Sequence, residues 1–412
     1  MKAHFEMLRL AYRFSIIAAL FIVAALTGMT GCSYDAAQPL WYEDFNAPSS
    51  PQITSIEPDA VAKAGVNTIT IHGQNFPTGE GTNFVYFGNT VANIFEVSAT
   101  SIKVYRPNLG IDSCTVKVVS SSALLVAKYP KKYRIDPVVE NYGGFRDNLA
   151  LSVVAVDHAE NLYVVETGSR NIYKITPDGG RTTLGRASRV PTDGRIGPDG
   201  KLYLPGNNRA IDVVDLTTGA VTRWTQLPAG KVVKYGDFDA NGYFYTGGIR
   251  TDLVIVAPDL TTKVAGVYPT SGTTEIIAVR VYNGYVYVAT RTSPTGPATI
   301  WRHKLNAGGN PGAQEMVIAM EATQFASNTI SAFAFSANGK MYLATDSPAD
   351  PILIVDPNTK NVEILYKGIL TPYCKQFCWG TGTYFYMISG DTNSGQEWIV
   401  IRVDAGIAAG AP

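Results

Sequence analysis

Six times between Leu162 and Met387 this chain repeats one short phrase: an apolar residue, a tyrosine, then an apolar or threonine residue, set just after a turn. The copies are Leu162-Tyr163-Val164, Leu202-Tyr203-Leu204, Phe244-Tyr245-Thr246, Val286-Tyr287-Val288, Met341-Tyr342-Leu343 and Phe385-Tyr386-Met387. Successive tyrosines lie 40, 42, 42, 55 and 44 residues apart. A unit of about forty residues built from short strands cannot bury its own apolar face, so copies must pack on one another, and the period is that of propeller blades. In four copies an Asp-Gly or Asn-Gly pair precedes the phrase: Asp199-Gly200, Asn241-Gly242, Asn283-Gly284 and Asn338-Gly339. Such pairs accept positive φ and close two-residue hairpins. The next strand of each unit follows at 172–175, 211–214, 253–256, 300–303, 352–355 and 398–401.

Five units supply a further outer strand, such as 362–368, whereas the sixth has little chain left after Val403. The segment 138–143, ahead of the first unit, has similar spacing. It is expected to complete the last blade, which leaves no open sheet edge.

The N-terminus reads differently. Lys2, Arg9 and Arg13 precede the apolar run from Ser15 to Leu26, too short for a membrane span, and small residues lead to Cys32. The pattern is that of a secretory signal peptide over residues 1–31. Its end, Met29-Thr30-Gly31-Cys32, resembles a bacterial lipobox with Met in place of the usual Leu, and the resemblance implies lipidation of Cys32; an ordinary signal peptide beside an incidental cysteine is the alternative. Residues 32–50 lack periodicity and read as a flexible tether. Cys114, Cys374 and Cys378 remain. Along a strand Cys374 and Cys378 would sit about 13 Å apart, beyond the about 7 Å a disulfide allows, so buried thiols are expected.

From Pro51 short strands with period-two patterning alternate with turns, as in a small antiparallel sandwich. The phrases ITSIEPDAVAKAG (53–65), ITIHGQNF (69–76) and VYFGN (85–89) resemble the IPT/TIG immunoglobulin-like family: a proline after the first strand, a Gly-x-Asn-Phe turn and a Phe-Gly pair. The resemblance covers residues 51–135 and implies a spacer or interaction module without catalysis. LYVVETGSRNIYKIT (162–176) resembles the NHL repeat, LYLPGNNRAIDVVD (202–215) keeps much of it, and later units drift. The expected fold class is all-β: an N-terminal Ig-like β-sandwich followed by a six-bladed NHL-like β-propeller over residues 136–412.

Net charge is zero from 34 basic and 34 acidic residues, and no basic tract stands out, so nucleic acid is excluded as a partner. No serine elbow, zinc spacing or phosphate loop appears. The loops after the tyrosine strands are polar, and Arg170, Arg209, Arg250 and Arg291 recur there in four units. They read either as an arc of guanidinium groups for an acidic sugar, carboxylate or peptide, or as ties within their own blades, as the NHL resemblance suggests. Asp193, Asp237 and Glu275, with Asn148 and Asn328, stand near inner-strand starts, where regucalcin and gluconolactonase propellers hold a divalent metal for hydrolysis. Oxygen ligands of that kind suit calcium, although no local motif of that family is present and no cofactor is predicted. Tyr235, Tyr268, Tyr282, Tyr373, Trp224, Trp301 and Trp379 would stack on sugars if exposed at the channel mouth, while aromatics of this kind also wedge blades together. Tyr373, Lys375 and Tyr235 fall closest to that mouth.

Lipoproteins that pair an IPT/TIG domain with NHL-like blades resemble accessory surface proteins of outer-membrane glycan or nutrient uptake. That resemblance implies a non-catalytic binding protein, lipid-anchored at the bacterial outer membrane, with a polysaccharide ligand and a TonB-dependent transporter complex as partner. The alternatives are a protein-interaction scaffold and a metal-dependent lactonase.

Overall fold

The computed structural model describes residues 7, 11–13, 15–19, 49–121, 123–145, 149–249, 252–268, 274–294, 296–390 and 398–410. The cleavage region expected of a signal peptide, Cys32 and residues 33–48 of the expected tether lie outside them. Among the described residues no helix is long and apolar enough to cross a membrane. Ser49–Pro412 forms one compact unit, and it is an Ig-like sandwich followed by a six-bladed β-propeller.

In the sandwich, Gln52–Glu57, Thr68–Gln74, Ser101–Tyr105 and Ile94–Val97 make one sheet, and Ala127–Lys128, Val116–Ser120, Asn83–Phe87 and Thr90–Ala92 make the facing one. A small third sheet joins Val61–Ala62, Tyr133–Ile135 and Ile111–Cys114. Alternate residues point inward, so Ile69, Ile71, Val85, Phe87, Ile102, Val104, Val116 and Val118 are all fully buried in one core. The two- to four-residue strands carry too little alternation to be read from sequence.

Six four-stranded antiparallel sheets follow. Their innermost strands are Leu151–Val156, Arg195–Ile196, Tyr235–Phe238, Glu275–Tyr282, Ile330–Phe335 and Cys374–Trp379, for blades one to six. These touch in cyclic order, and the sixth returns to the first. The last blade is completed as expected: Val139–Asn141 pairs with Ile399–Asp404, Val139 opposite Val403. A register shift recurs in the inner strands of blades one, four, five and six, at Leu151/Val153, Ile276/Ala278, Ile330/Ala332 and Cys374/Gln376. One bulge at one place in four blades marks them as copies of a single unit, and the extra residue re-aims side chains toward the channel.

The tyrosine phrase has a local cause. In blade one Asp157 accepts from the backbone N–H groups of Ala159 and Asn161 (both 2.9 Å), and Tyr163 Oη donates to its other oxygen (2.8 Å). Tyr203 does the same to Asp199 (3.0 Å) and Tyr245 to Asp239 (3.3 Å). A turn aspartate thus closes the hairpin and clamps a tyrosine that fills the gap to the next sheet. Aromatic wedges occupy these gaps: Tyr203, Trp224, Phe238 and Phe244 between blades two and three, and Tyr342 against Trp379 between five and six. Trp224, Trp301, Trp379 and Tyr268 all make ring contacts inside or between blades. Each fully buried large apolar side chain contributes roughly 1.5–3 kcal/mol. Cys374 and Cys378 are buried free thiols, as expected, and Cys114 is one as well.

The sandwich meets the ring at blades five and six. Tyr366, wholly buried, accepts from the Gly65 N–H (2.6 Å) and donates to the Asp404 carbonyl (2.5 Å), while its own N–H donates to Asn67 Oδ1 (3.1 Å). Arg106, buried below, donates to the Ala62 and Lys63 carbonyls (3.1 and 2.8 Å) and to the Asp136 carbonyl, which fixes the crossover into the propeller. Gly406, at φ +68°, presses on Ala64, where a Cβ would meet the Ala64 oxygen at 2.3 Å. Only glycine serves there.

Candidate functional site

The channel through the ring has an upper mouth, where inner strands begin, and a lower mouth, where they turn into their neighbours. Between them lies a plug of charge. Asp193, fully buried at the start of blade two, accepts from Gln376 Nε2 of blade six (2.6 Å) and from the Gly194 and Gly236 N–H groups (2.9 and 3.3 Å). Arg195 stands between Asp193 (3.4 Å) and Asp237 of blade three (3.7 Å). Arg280 of blade four approaches Asp193 at 3.9 Å, and the Val281 N–H holds Asp237 at 2.9 Å. Four blades thereby share two carboxylates and two guanidinium groups, a neutral set that ties the ring across its axis. Burial pushes Asp193 up against the opposing pull of Arg195, and pushes Asp237 up to about 6, again opposed by Arg195.

The upper mouth carries two polar groups. On blades three and four, Glu275 is held by Lys234 (2.6 Å) and by Arg291 through Nε and Nη2 (3.2 and 3.0 Å). Burial alone would raise this carboxyl, but the Lys234 and Arg291 hydrogen bonds outweigh it, and Glu275 sits below its ordinary value. Tyr235, half-buried beside it, is pushed up to about 12 by burial and then by the Glu275 charge. On blades six and one, Lys375 Nζ donates to the Leu151 carbonyl (2.7 Å) and lies 4.3 Å from the Trp398 ring centroid, which Tyr373 meets edge-on at 6.4 Å.

At the lower mouth all six inner strands end around a cavity of about 540 Å³, within the range of small-molecule pockets. Arg195, Asp237, Arg280, Trp379 and the Tyr282–Phe335 pair line it, those two rings stacked at 4.4 Å and 6°. The C-terminal tail crosses its rim, with the Gly410 N–H on the Phe335 carbonyl (2.8 Å). Tyr282 and Trp379 therefore belong to the lower mouth, not to the upper one.

Arg170 donates to the Ser188 carbonyl (2.6 Å) and Arg209 to the Leu227 carbonyl (2.7 Å), each tying down the turn that follows its own blade's outer strand. Arg291 instead pairs with Glu275, so the arginines do not share one role. Arg250, Asn148 and Cys32 lie outside the described residues. Among the described residues no cluster of three His, Cys, Asp or Glu is placed to hold a metal ion. Asp193, Asp237 and Glu275 each face cationic side chains instead, and the N–H of Asn328 donates to the Phe325 carbonyl (3.0 Å). Sequence reasoning passed over Arg195, Arg280, Gln376 and Lys234. The one available signal was the repeated placement of polar residues in otherwise apolar inner strands.

Residues 51–133 match the IPT/TIG domain family. No curated protein is similar to the chain in sequence. Solved structures share its fold at low identity. A structural genomics protein of unknown function from Bacteroides thetaiotaomicron VPI-5482 is 11% identical with a TM-score of 0.51, over 87% of this chain and 99% of that one. An auxiliary nutrient binding protein from the same organism is 12% identical with a TM-score of 0.50, over 89% and 100%. A putative gluconolactonase is 12% identical with a TM-score of 0.52, over 67% and 94%. The chain thus carries an IPT/TIG domain on a β-propeller of the kind seen in nutrient-binding and gluconolactonase-like proteins.

Proposed function

We propose that this protein is an exported lipoprotein, held by acyl chains on Cys32 at the bacterial outer membrane, whose propeller binds a glycan or other nutrient polymer without catalysis. A TonB-dependent transporter complex is the partner such a role implies. One observation carries the reading: every candidate metal-binding carboxylate of the channel faces a lysine or arginine of the same ring. Asp193, Asp237 and Glu275 are thereby committed to structure, and the upper rim meets a ligand through Tyr235, Tyr373, Lys375 and Arg291. The auxiliary nutrient binding protein supports it too, since the likeness spans both modules. Aromatic and cationic groups on a rigid rim suit sugar rings and acidic substituents.

Affinity electrophoresis against a polysaccharide panel tests this. The protein should be retarded by at least one polysaccharide, Tyr373→Ala or Tyr235→Ala should weaken retention, and a chelator should leave it unchanged. Likeness to the gluconolactonase favours a second reading, a propeller hydrolase. Chelator-sensitive release of product from a lactone would establish that reading and overturn the first. Co-purification with a membrane complex, with no polysaccharide retained, would instead point to a protein scaffold.

A further inference from the structure

The end of the sandwich remote from the ring carries groups that the fold leaves uncompensated. Asn67, Arg106 and Asp136 mark the ring-side end. At the other end Asn75 Nδ2 donates to the Ser50 carbonyl (3.1 Å), Asn83 Nδ2 to the Pro77 carbonyl (2.6 Å), and the Ser121 N–H to the Thr82 carbonyl (2.9 Å). These bonds gather the point where the chain enters the sandwich, the 75–83 loop and the loop after Ser120. There Leu124, Leu125 and Val126 are 72%, 67% and 43% exposed. Phe84, cross-strand partner of Val119, is 45% exposed beside them. Three consecutive large aliphatic residues on a loop tip are a liability in water unless something covers them.

The charge beside this tip is equally lopsided. Lys128 and Lys117 are direct cross-strand partners, an arrangement that like charges make unfavourable. Lys117 rests 5.8 Å from the Tyr86 ring centroid, and the ion pairs of the described residues involve other lysines. Lys131 and Lys132 lie farther along, toward the opposite end of the strand, where Lys132 donates to Thr115 Oγ1 (3.0 Å). Glu80, exposed on the 75–83 loop, is an acidic residue at this end, set against Lys117 and Lys128.

We infer that this end is a membrane-contact site: the 123–126 tip enters the acyl boundary while Lys117 and Lys128 meet anionic headgroups. Leu125 and Lys128 are three residues apart, about 10 Å of extended chain. That matches the depth over which an interfacial element passes from headgroups to hydrocarbon. The first described residues of this unit, Ser49 and Ser50, also lie at this end, where Asn75 holds the Ser50 carbonyl. One lipid-anchored chain and one weak surface contact together hold more firmly than either alone. The inference deepens the lipoprotein reading but does not require the acyl group.

The experiment uses the chain from Ser33 onward, which lacks the acylated cysteine and keeps all of Ser49–Pro412. It is floated on a density gradient with vesicles of phosphatidylcholine alone or mixed with phosphatidylglycerol. The protein should rise with the anionic vesicles and much less with neutral ones. Leu124→Ser and Leu125→Ser should each lower the partition coefficient about tenfold, and Lys128→Gln about fivefold at low salt. Since both leucines are exposed, the doubly substituted chain should unfold at the same temperature as its parent. Failure of the parent to float, or equal flotation of the double variant, overturns the inference. So does a parent whose self-association, rather than vesicle binding, is what the double variant loses. Because the acyl group is absent, neither result bears on whether Cys32 is lipidated.

Discussion

Tyr366→Phe is the sharpest probe of how this molecule is held together. The substitution keeps the ring in its buried site and removes one oxygen. That oxygen accepts from the Gly65 N–H at 2.6 Å and donates to the Asp404 carbonyl at 2.5 Å, so it joins sandwich, blade five and the end of blade six. Phenylalanine would leave the Gly65 N–H and the Asp404 carbonyl without this partner; both bonds are only part-buried, so each loss costs roughly 0.5–1 kcal/mol. The expected loss is about 1–2 kcal/mol, a readable share of a typical unfolding free energy of roughly 5–15 kcal/mol. Trp224, Trp301, Trp379 and Trp398 all lie in the propeller, residues 51–135 contain no tryptophan, and the fifth, Trp41, is replaced by phenylalanine in parent and variants alike. Tryptophan fluorescence during urea unfolding therefore reports the ring. If the joint couples the modules, a mutation at a bond to the sandwich shifts the ring's transition by the full amount. Lys367→Ala, which loses an exposed bond to Tyr105 Oη (3.3 Å) and the contact of its ammonium with the same ring (4.6 Å), should change stability by about 0.5 kcal/mol. A Tyr366→Phe transition indistinguishable from that control would refute the coupling.

Deleting residues 136–145 removes the Val139–Asn141 strand from blade six, and thermal unfolding should then lose its single sharp transition; an unchanged melting curve would count against closure by this strand. Asp237 titrates in the folded protein at about 6, against an ordinary 3.8. The native state then keeps a proton that the unfolded chain has released, so this group's contribution to stability falls as pH rises from about 4 to about 6. The change is worth at most roughly 3 kcal/mol, and Asp237→Asn should flatten that part of the profile; an unaltered slope in the variant would assign it elsewhere. Burial pushes the Cys374 and Cys378 thiols far up, so a thiol reagent should label them only on unfolding; rapid labelling of the native protein would contradict their burial.

What could be read from the chain alone was what is local. The Asp157–Tyr163 clamp spans six residues and recurs, so blades, their number and their hairpins were visible before any coordinates. The closure by residues 138–143 followed from counting strands. The plug was not visible: Asp193 and Gln376 are 183 residues apart, and nothing near either announces the other. Glu275 looked like a metal ligand because acidic residues at strand starts carry no mark of the lysine and arginine that neutralise them. The Tyr366–Gly65 bond spans 301 residues and likewise left no trace. The exposure of Leu124, Leu125 and Val126 likewise could not be told from three apolar residues in a row.

The sixth blade takes its outer edge from near Val139 and its other three strands from the last forty residues, so its first-made piece waits for its last-made ones. Until the ribosome has delivered Ile399–Asp404, Val139–Asn141 has no neighbour and five stacked sheets have an unsealed gap. The sandwich has all its strands long before that moment. Assembly of the disc is therefore a late, all-at-once event, and any interruption of synthesis before Asp404 leaves two bare edges ready to pair with another chain.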